Sequence, residues 1–465
     1  MNYRASAIAA WALFAITAVK ILLAVSLSPL IAYANNWDFA RESACYGVWE
    51  NYPGGKDKTA FNFERPVNPL RYDGDKRPEW CLKTIDNVFV GLAVEVHDIG
   101  DTIDLRWIGL ARAAFLLAMT GWLMTLARTP GQSLAISVTF LLAFGDIAYL
   151  SFFNTLYAEF SMLAGCFLSA MALMLITRAA VPAKQLLAFS VVALVFFGLS
   201  KAQYMPLAVL CAAVFAVVAW VKVRARGIAA IFLALAVAMP VGFSVFNSSS
   251  SGIMAAIKTA NIMDTLMVAV LPNSRDPSAS LAKVGLPKSC EKALGVSWYD
   301  PGVANNLPCP EIANTTRVKL IGLFLWEPTA FFNPMRLAIE KVRPSTIHYL
   351  GIVETPEVRG GLRFELIDRT SLSRAIDALP VGLYFLIVAA SLIAALVGVF
   401  RSMRSEGALL IAAGGIVVFY ALLSSVFGDG FMEISKHATA IFLGLVIQLG
   451  AIGLVIVEQK YANEN

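Results

Sequence analysis

Ten stretches of the chain are almost continuously apolar, and charged residues gather in the segments between them. They run 8–33, 107–127, 132–150, 160–177, 185–200, 205–221, 228–246, 379–400, 407–426 and 438–457. A helix needs about 20 such residues to cross ~30 Å of hydrocarbon. The pattern therefore predicts an all-α polytopic membrane protein of about ten transmembrane helices with two extracytoplasmic loop regions. The expected units are a first transmembrane helix (1–34), a first loop with interfacial helices (35–105), a six-helix core (106–246), a second extracytoplasmic domain (247–378) and C-terminal transmembrane helices (379–465). Three further runs, 86–104, 261–272 and 318–333, are apolar but too short to cross, and are expected to lie in the interface. The first stretch is too long for a signal peptide and shows no small-residue cleavage site before Asn35-Asn36, so it is expected to be retained.

Composition agrees with this pattern. Hydrophobic residues make up 58% of the 465 and mean hydropathy is +0.69. Charged residues are 15%, against about 25% in soluble domains. A net charge of +5 with no basic stripe excludes nucleic acid as a partner. The predicted inside segments carry Arg4, Arg128, Arg178 with Lys184, Lys222-Val223-Arg224-Ala225-Arg226, Arg401 with Arg404, and Lys460. The positive-inside rule then places both termini in the cytoplasm, and a bacterial inner membrane is expected. The short fifth and sixth spans remain open to being one broken hairpin. Cys45 and Cys81 fall in the first outer loop and Cys290 and Cys309 in the second. One pair per outer loop suits an oxidising compartment and predicts the disulfides Cys45–Cys81 and Cys290–Cys309.

Several cations violate the orientation rule. Arg106 and Arg112 open the second span, with Arg112 about 9 Å deeper. Lys201 lies in the turn that also holds Gln203 and Tyr204, and Lys436 with His437 opens the last span. Asp38, Asp146, Glu159, Asp429 and Glu433 stand at the same rim, and Tyr157 sits beside Glu159. Ionisable groups at that depth pair with one another or face a water-filled cavity. One reading is structural ion pairs and snorkelling; the other is a shared cavity that receives a phosphate. Asp38 is either a cap for the segment after it or, partly desolvated, a base of raised strength for a hydroxyl. Arg41, one turn on, shares its face. His437 is one of three histidines without a paired-ligand spacing, so no metal site is expected. Lys20, mid-membrane, shows no evident partner.

Asp38-Phe39-Ala40-Arg41, Asn154 to Glu159, Leu271 to Pro277 with Leu281 to Pro287, and Gly428-Asp429-Gly430 through Lys436-His437 resemble the GT-C superfamily of membrane glycosyltransferases. Within it they look like bacterial hexose transferases of surface-glycan biosynthesis. The resemblance implies a GT-C-like fold and transfer of a sugar from a polyprenyl-phosphate carrier to an acceptor hydroxyl on the outer face, without a nucleotide or other firm cofactor. It implies Asp38 as general base and Arg41, Arg112, Lys201, Lys436 and His437 as donor-phosphate ligands. Glu42, Tyr157, Glu159, Gln203, Tyr204, Asp429 and Glu433 are expected to support or touch substrate. Many members carry an adjacent acidic pair where this chain has a single Asp before Arg41, which leaves Glu42 as a spare base. The acceptor is a glycan lipid or a protein. The alternative is a glycan-lipid polymerase or ligase, for which Arg336, Lys341 and Arg343 would serve, or a flippase, against which the two long outer loops argue.

Overall fold

The computed structural model describes residues 3–51, 62–177, 184–343, 345–354, 362–402 and 405–464. Arg178 and Arg404, two of the charges used for orientation, lie outside them, as does the Lys460 side chain.

The chain enters through α1 (Tyr3–Ser26) and reaches α2 (Phe39–Tyr46) by an extended segment. A small antiparallel sheet, β1 (Val48–Glu50), β2 (Leu70–Tyr72) and β3 (Thr102–Ile103), frames α3 (Asn87–Val94). Then come α4 (Leu105–Leu126), α5 (Pro130–Phe144), the single turn α6 (Ile147–Leu150), α7 (Glu159–Ile176), α8 (Lys184–Gly198), α9 (Met205–Val221) and α10 (Arg226–Phe246). The second loop region contains α11 (Ser251–Met263), α12 (Pro277–Lys283), α13 (Val318–Trp326), α14 (Thr329–Lys341), α15 (Leu362–Arg369) and α16 (Leu372–Asp377). The chain closes with α17 (Val381–Arg401), α18 (Glu406–Asp429), the turn α19 (Ile434–His437) and α20 (Ala440–Glu464).

Nine helices among the described residues are long and apolar enough to cross a membrane. All ten expected stretches are helical, with three differences of extent. The first helix stops at Ser26, not near 33. Residues 30–34 instead run extended against 351–354, with Ala34 N donating to Gly351 O at 2.8 Å and Ala32 N to Ile352 O at 3.2 Å. Gly351 is obligatory there, because a Cβ would sit 1.7 Å from the Glu64 carbonyl. The third stretch breaks after α5, where Asp146 turns its side chain to the Ala148 amide and starts α6. α5 and α8 have 15 residues each, about 22 Å of rise, and are shorter than a full crossing. α8 and α9 are separate helices joined by a tight turn at Ala202–Tyr204.

Eight of those nine helices fall on the expected stretches, and the ninth is the segment Gly252–Asn273, where only a shorter interfacial run was expected. Its contacts include Asp264 with Trp298 and Asn273 with Asn333, all within the second loop region. α7 is buried along its whole length and forms the axis around which the other helices pack. On the outside, α13 and α14 expose Ile321, Leu325 and Phe332, and α3 exposes Val88 and Leu92. Apolar faces of this kind at the rim suit the membrane interface. Disulfides join Cys45 to Cys81 and Cys290 to Cys309.

Candidate active site

The two long loop regions and three helix ends converge on one cluster of charge at the loop-bearing end of α7. Asp38 stands at the start of α2 but does not cap it: its side chain takes no hydrogen bond from the first turn. Asn35 does that work, its Oδ1 accepting from Trp37 N at 2.8 Å and Phe39 N at 3.2 Å. The Asp38 carboxylate is thereby free to face inward. Oδ1 meets Arg41 Nη2 at 3.0 Å and Oδ2 meets Lys436 Nζ at 2.5 Å. The backbone on both sides is strained, with non-glycine residues at positive φ: Trp37 at 87° and Glu433 at 46°. Such conformations cost about 1–3 kcal/mol each and persist where surrounding structure holds a functional geometry.

Lys436 is fully buried. It lies across the Tyr157 ring at 5.4 Å and also donates to Glu433 Oε2 at 2.7 Å. Asn36 donates to the other Glu433 oxygen, and its backbone N donates to the Tyr157 hydroxyl at 3.0 Å. A second group adjoins the first. Lys201 Nζ donates to Glu159 Oε1 at 2.6 Å and lies 3.4 Å from His437 Nδ1. His437 Nε2 is 2.8 Å from Asp429 Oδ2. That arrangement fits a neutral imidazole that accepts at Nδ1 from the lysine and donates from Nε2 to the aspartate. Tyr204 donates to the His437 carbonyl at 2.7 Å, and Gln203 accepts at its own carbonyl from Tyr420 at 2.6 Å. Gly430 closes the turn where the chain passes the Asp264 backbone too tightly for any Cβ, which would stand 2.4 Å from the Asp264 carbonyl. Asp38, Arg41, Glu42, Tyr157, Glu159 and Lys201 line a cavity of about 40 Å³, room for a few waters.

Burial alone would raise the Asp38 carboxyl, but Arg41 and Lys436 beside it bring it well below the usual carboxylate range. The expected rise in basicity is therefore reversed in this state. Arg41, one turn on, and Lys436, which arrives from α19, share in this, and only the first lies within residues 35–42. Glu42 is the opposite case. Burial, reinforced by the Asp86 charge, pushes its carboxyl well above the ordinary value.

Arg112 does not join the cluster. Its guanidinium is fully buried and donates to the carbonyls of Phe152, Phe153, Thr155 and Tyr157 and to the Asp86 carboxylate. Asp86 in turn accepts from Ser161. With both terminal nitrogens so engaged, Arg112 ties α4 and the residue before α3 to the turn before α7. Arg106 pairs with Asp104 at 2.7 Å, and Asp146 holds Ser373. Lys20 does have a partner: it donates to Thr370 Oγ1 at 2.9 Å. Arg336 pairs with Glu340, Lys341 lies over Phe431, and Arg343 donates to the Asp377 carbonyl, so these three do not gather at one site. The Cys290, Cys309 and Glu311 side chains lie close together, but the two sulfurs are bonded to each other.

Residues not singled out from sequence also serve the cluster. Asn35 and Asn36 set the Asp38 turn; the dipeptide before Trp37-Asp38 is the signal that carried this. Arg317 donates to the carbonyls of Phe427 and Gly428. Tyr349, on the segment that pairs with residues 30–34, has a buried hydroxyl without a partner. Beside the cavity opens an apolar cleft of about 400 Å³ lined by Thr84, Ile85, Val88, Leu199, Phe243 and Phe246 among others. Thr84 belongs to both walls.

The family model of the YfdI N-terminal transmembrane domain matches residues 2–463. The chain belongs to that family. It is thus a multi-pass membrane protein, as the helices indicate. Among solved structures, the crystal structure of ArnT from Cupriavidus metallidurans in the apo state aligns over 96% of this chain and 76% of that chain, at 14% identity and a TM-score of 0.29. A superposition that loose carries no argument about this chain. No curated protein matches it.

Proposed function

We propose that this family member is a GT-C-type glycosyltransferase that moves a sugar from a polyprenyl-phosphate carrier to an acceptor hydroxyl at the outer membrane face. The observation that carries the reading is the meeting of Asp38 with Arg41 and Lys436 beside Lys201, next to an apolar cleft at the same level. A lipid-linked sugar has its anomeric carbon attached to a phosphate just above hydrocarbon. Transfer needs a base for the acceptor hydroxyl and positive charge for the departing phosphate. Arg41, Lys201 and Lys436 supply the charge, and the cleft suits the first isoprene units of the carrier.

The ion pairs then have a mechanistic use. With the donor absent, Asp38 is held by two cations and is a poor base. A phosphate in the cavity draws Arg41 and Lys436 toward its own oxygens, and Asp38 loses the partners that hold its carboxyl down. Basicity rises only when the leaving group is in place. Attack by the acceptor oxygen on the anomeric carbon passes the hydroxyl proton to Asp38 and leaves the carrier phosphate among the cations. His437 stays neutral between Asp429 and Lys201 and orients the lysine.

Native mass spectrometry of the detergent-purified chain tests this reading. Co-purifying polyprenyl phosphate, or its monosaccharide ester, is the expected result. Failure to retain added polyprenyl phosphate, together with no transfer from a panel of polyprenyl-phosphate sugars, would remove the proposal.

A further inference from the structure

We infer that Glu42 acts in ligand recognition as a neutral carboxylic acid, donating its O–H to an oxygen of the donor phosphate in the cavity it shares with Asp38. This rests on the transferase reading above and replaces the role of spare base.

Glu42 lies one helical turn beyond Asp38 on α2 and is 3% exposed. Its Oε1 receives only a long contact from Thr84 Oγ1 at 3.4 Å, and its Oε2 is buried with no partner. Arg41 Nε, on the same cavity wall, is buried and unpartnered too. Both residues line one small cavity, so a single ligand there could meet both atoms. A phosphate offers only acceptor oxygens. It satisfies Arg41 Nε–H directly, but it satisfies Glu42 only if the carboxyl carries a hydrogen. An ionised Glu42 would repel it.

The surroundings hold the proton on. Facing Glu42 are Asp38 just before α2, Arg41 and Tyr46 on α2, Thr84 and Asp86 before α3, Arg112 on α4, Glu159 on α7 and Lys201 before α9. The cation that could ionise it from behind, Arg112, is committed to Asp86 and four carbonyls. Asp86 and Glu159 add negative charge, and burial works in the same direction. The two cations in front, Arg41 and Lys201, are each already paired, with Asp38 and Glu159.

The test is the pH dependence of binding for a phosphodiester probe, polyprenyl phosphoglucose, to the full chain in nanodiscs. The probe has no ionisation of its own near neutrality. Wild-type affinity is expected to fall about tenfold per pH unit once Glu42 loses its proton. Glu42→Gln keeps a donor but cannot ionise, so its profile should lack that alkaline limb. An infrared difference spectrum, wild type minus Glu42→Gln at neutral pH, should show the carbonyl band of a protonated carboxyl. An unchanged alkaline limb in Glu42→Gln overturns the inference alone, as does absence of that band. No binding by wild type at any pH overturns it together with the transferase reading.

Discussion

Asp38 and Lys436 are 398 residues apart in sequence and 2.5 Å apart in space, and each is the other's nearest charge. The lysine is fully buried and the aspartate nearly so, at 0% and 14% side-chain exposure. Each also has a second partner, Arg41 for the aspartate and Glu433 for the lysine. The pair joins the first loop to the last crossing, and it sets both the protonation of the proposed base and the resting place of one proposed phosphate ligand.

Replacing Asp38 with Asn keeps the side-chain volume and one acceptor while removing the base. Transfer from a radiolabelled polyprenyl-phosphate sugar is expected to fall by about 10²–10⁴. Carrier-lipid binding should persist or tighten, because Arg41 and Lys436 are released. Turnover near the wild-type rate would exclude Asp38 as the base.

Lys436→Met leaves the Asp38 and Glu433 carboxylates facing each other without their shared cation. Removing one partner from a buried pair typically costs about 3–5 kcal/mol. A marked fall in Tm in detergent is expected, with most of it recovered in Lys436→Met/Glu433→Gln. Carrier binding should stay weak in both. Recovery of binding along with stability would mean that Lys436 holds the fold and not the phosphate.

The sequence alone located the rim charges but not their pairing. Hydropathy marks helices reliably because lipid demands a long apolar run, so α4, α7 and α18 were legible from it. It overran the end of α1, since Leu30 to Ala34 are as apolar as the helix before them and only the distant residues 351–354 make them extended. Asp38, Arg41, Lys201 and Lys436 stood out as ions at the wrong depth. The sign of the Asp38 shift did not follow from them, because it depends on how closely Arg41 approaches and on a second cation that arrives from α19. Arg112 carried the same signal of depth and charge as Lys201. What separates the two is Asp86, which the sequence shows only as the start of an interfacial helix.

That contrast is measurable. Arg112→Lys retains the charge but not the planar fork that reaches four carbonyls and a carboxylate at once. The variant is expected to leave several buried acceptors unsatisfied, at roughly 1–3 kcal/mol for each. Loss of folded protein, seen as aggregation in size-exclusion chromatography, is the predicted outcome. A well-folded Arg112→Lys with weakened carrier affinity would return Arg112 to the phosphate site.

The carboxyls of Asp38 and Glu42 should leave opposite marks on stability against pH. Asp38 is held below its ordinary range in the fold, so its contribution is present above the unfolded value of ~3.9 and disappears as pH drops through the folded value. Glu42 is held above its ordinary range, so the folded chain binds a proton that the unfolded chain has released above ~4.3. Its contribution therefore declines as pH rises from there to the folded value and is flat beyond it. Thermal melts in detergent at about pH 5 and about pH 8 separate the two effects, since Asp38 is ionised in both states across that window. Wild type should lose stability relative to Glu42→Gln between the two, whereas the difference between wild type and Asp38→Asn should stay constant. A gap between wild type and Glu42→Gln that does not change with pH would mean that Glu42 titrates alike in the folded and unfolded chain, and the unpartnered oxygen beside Asp38 would then belong to a carboxylate.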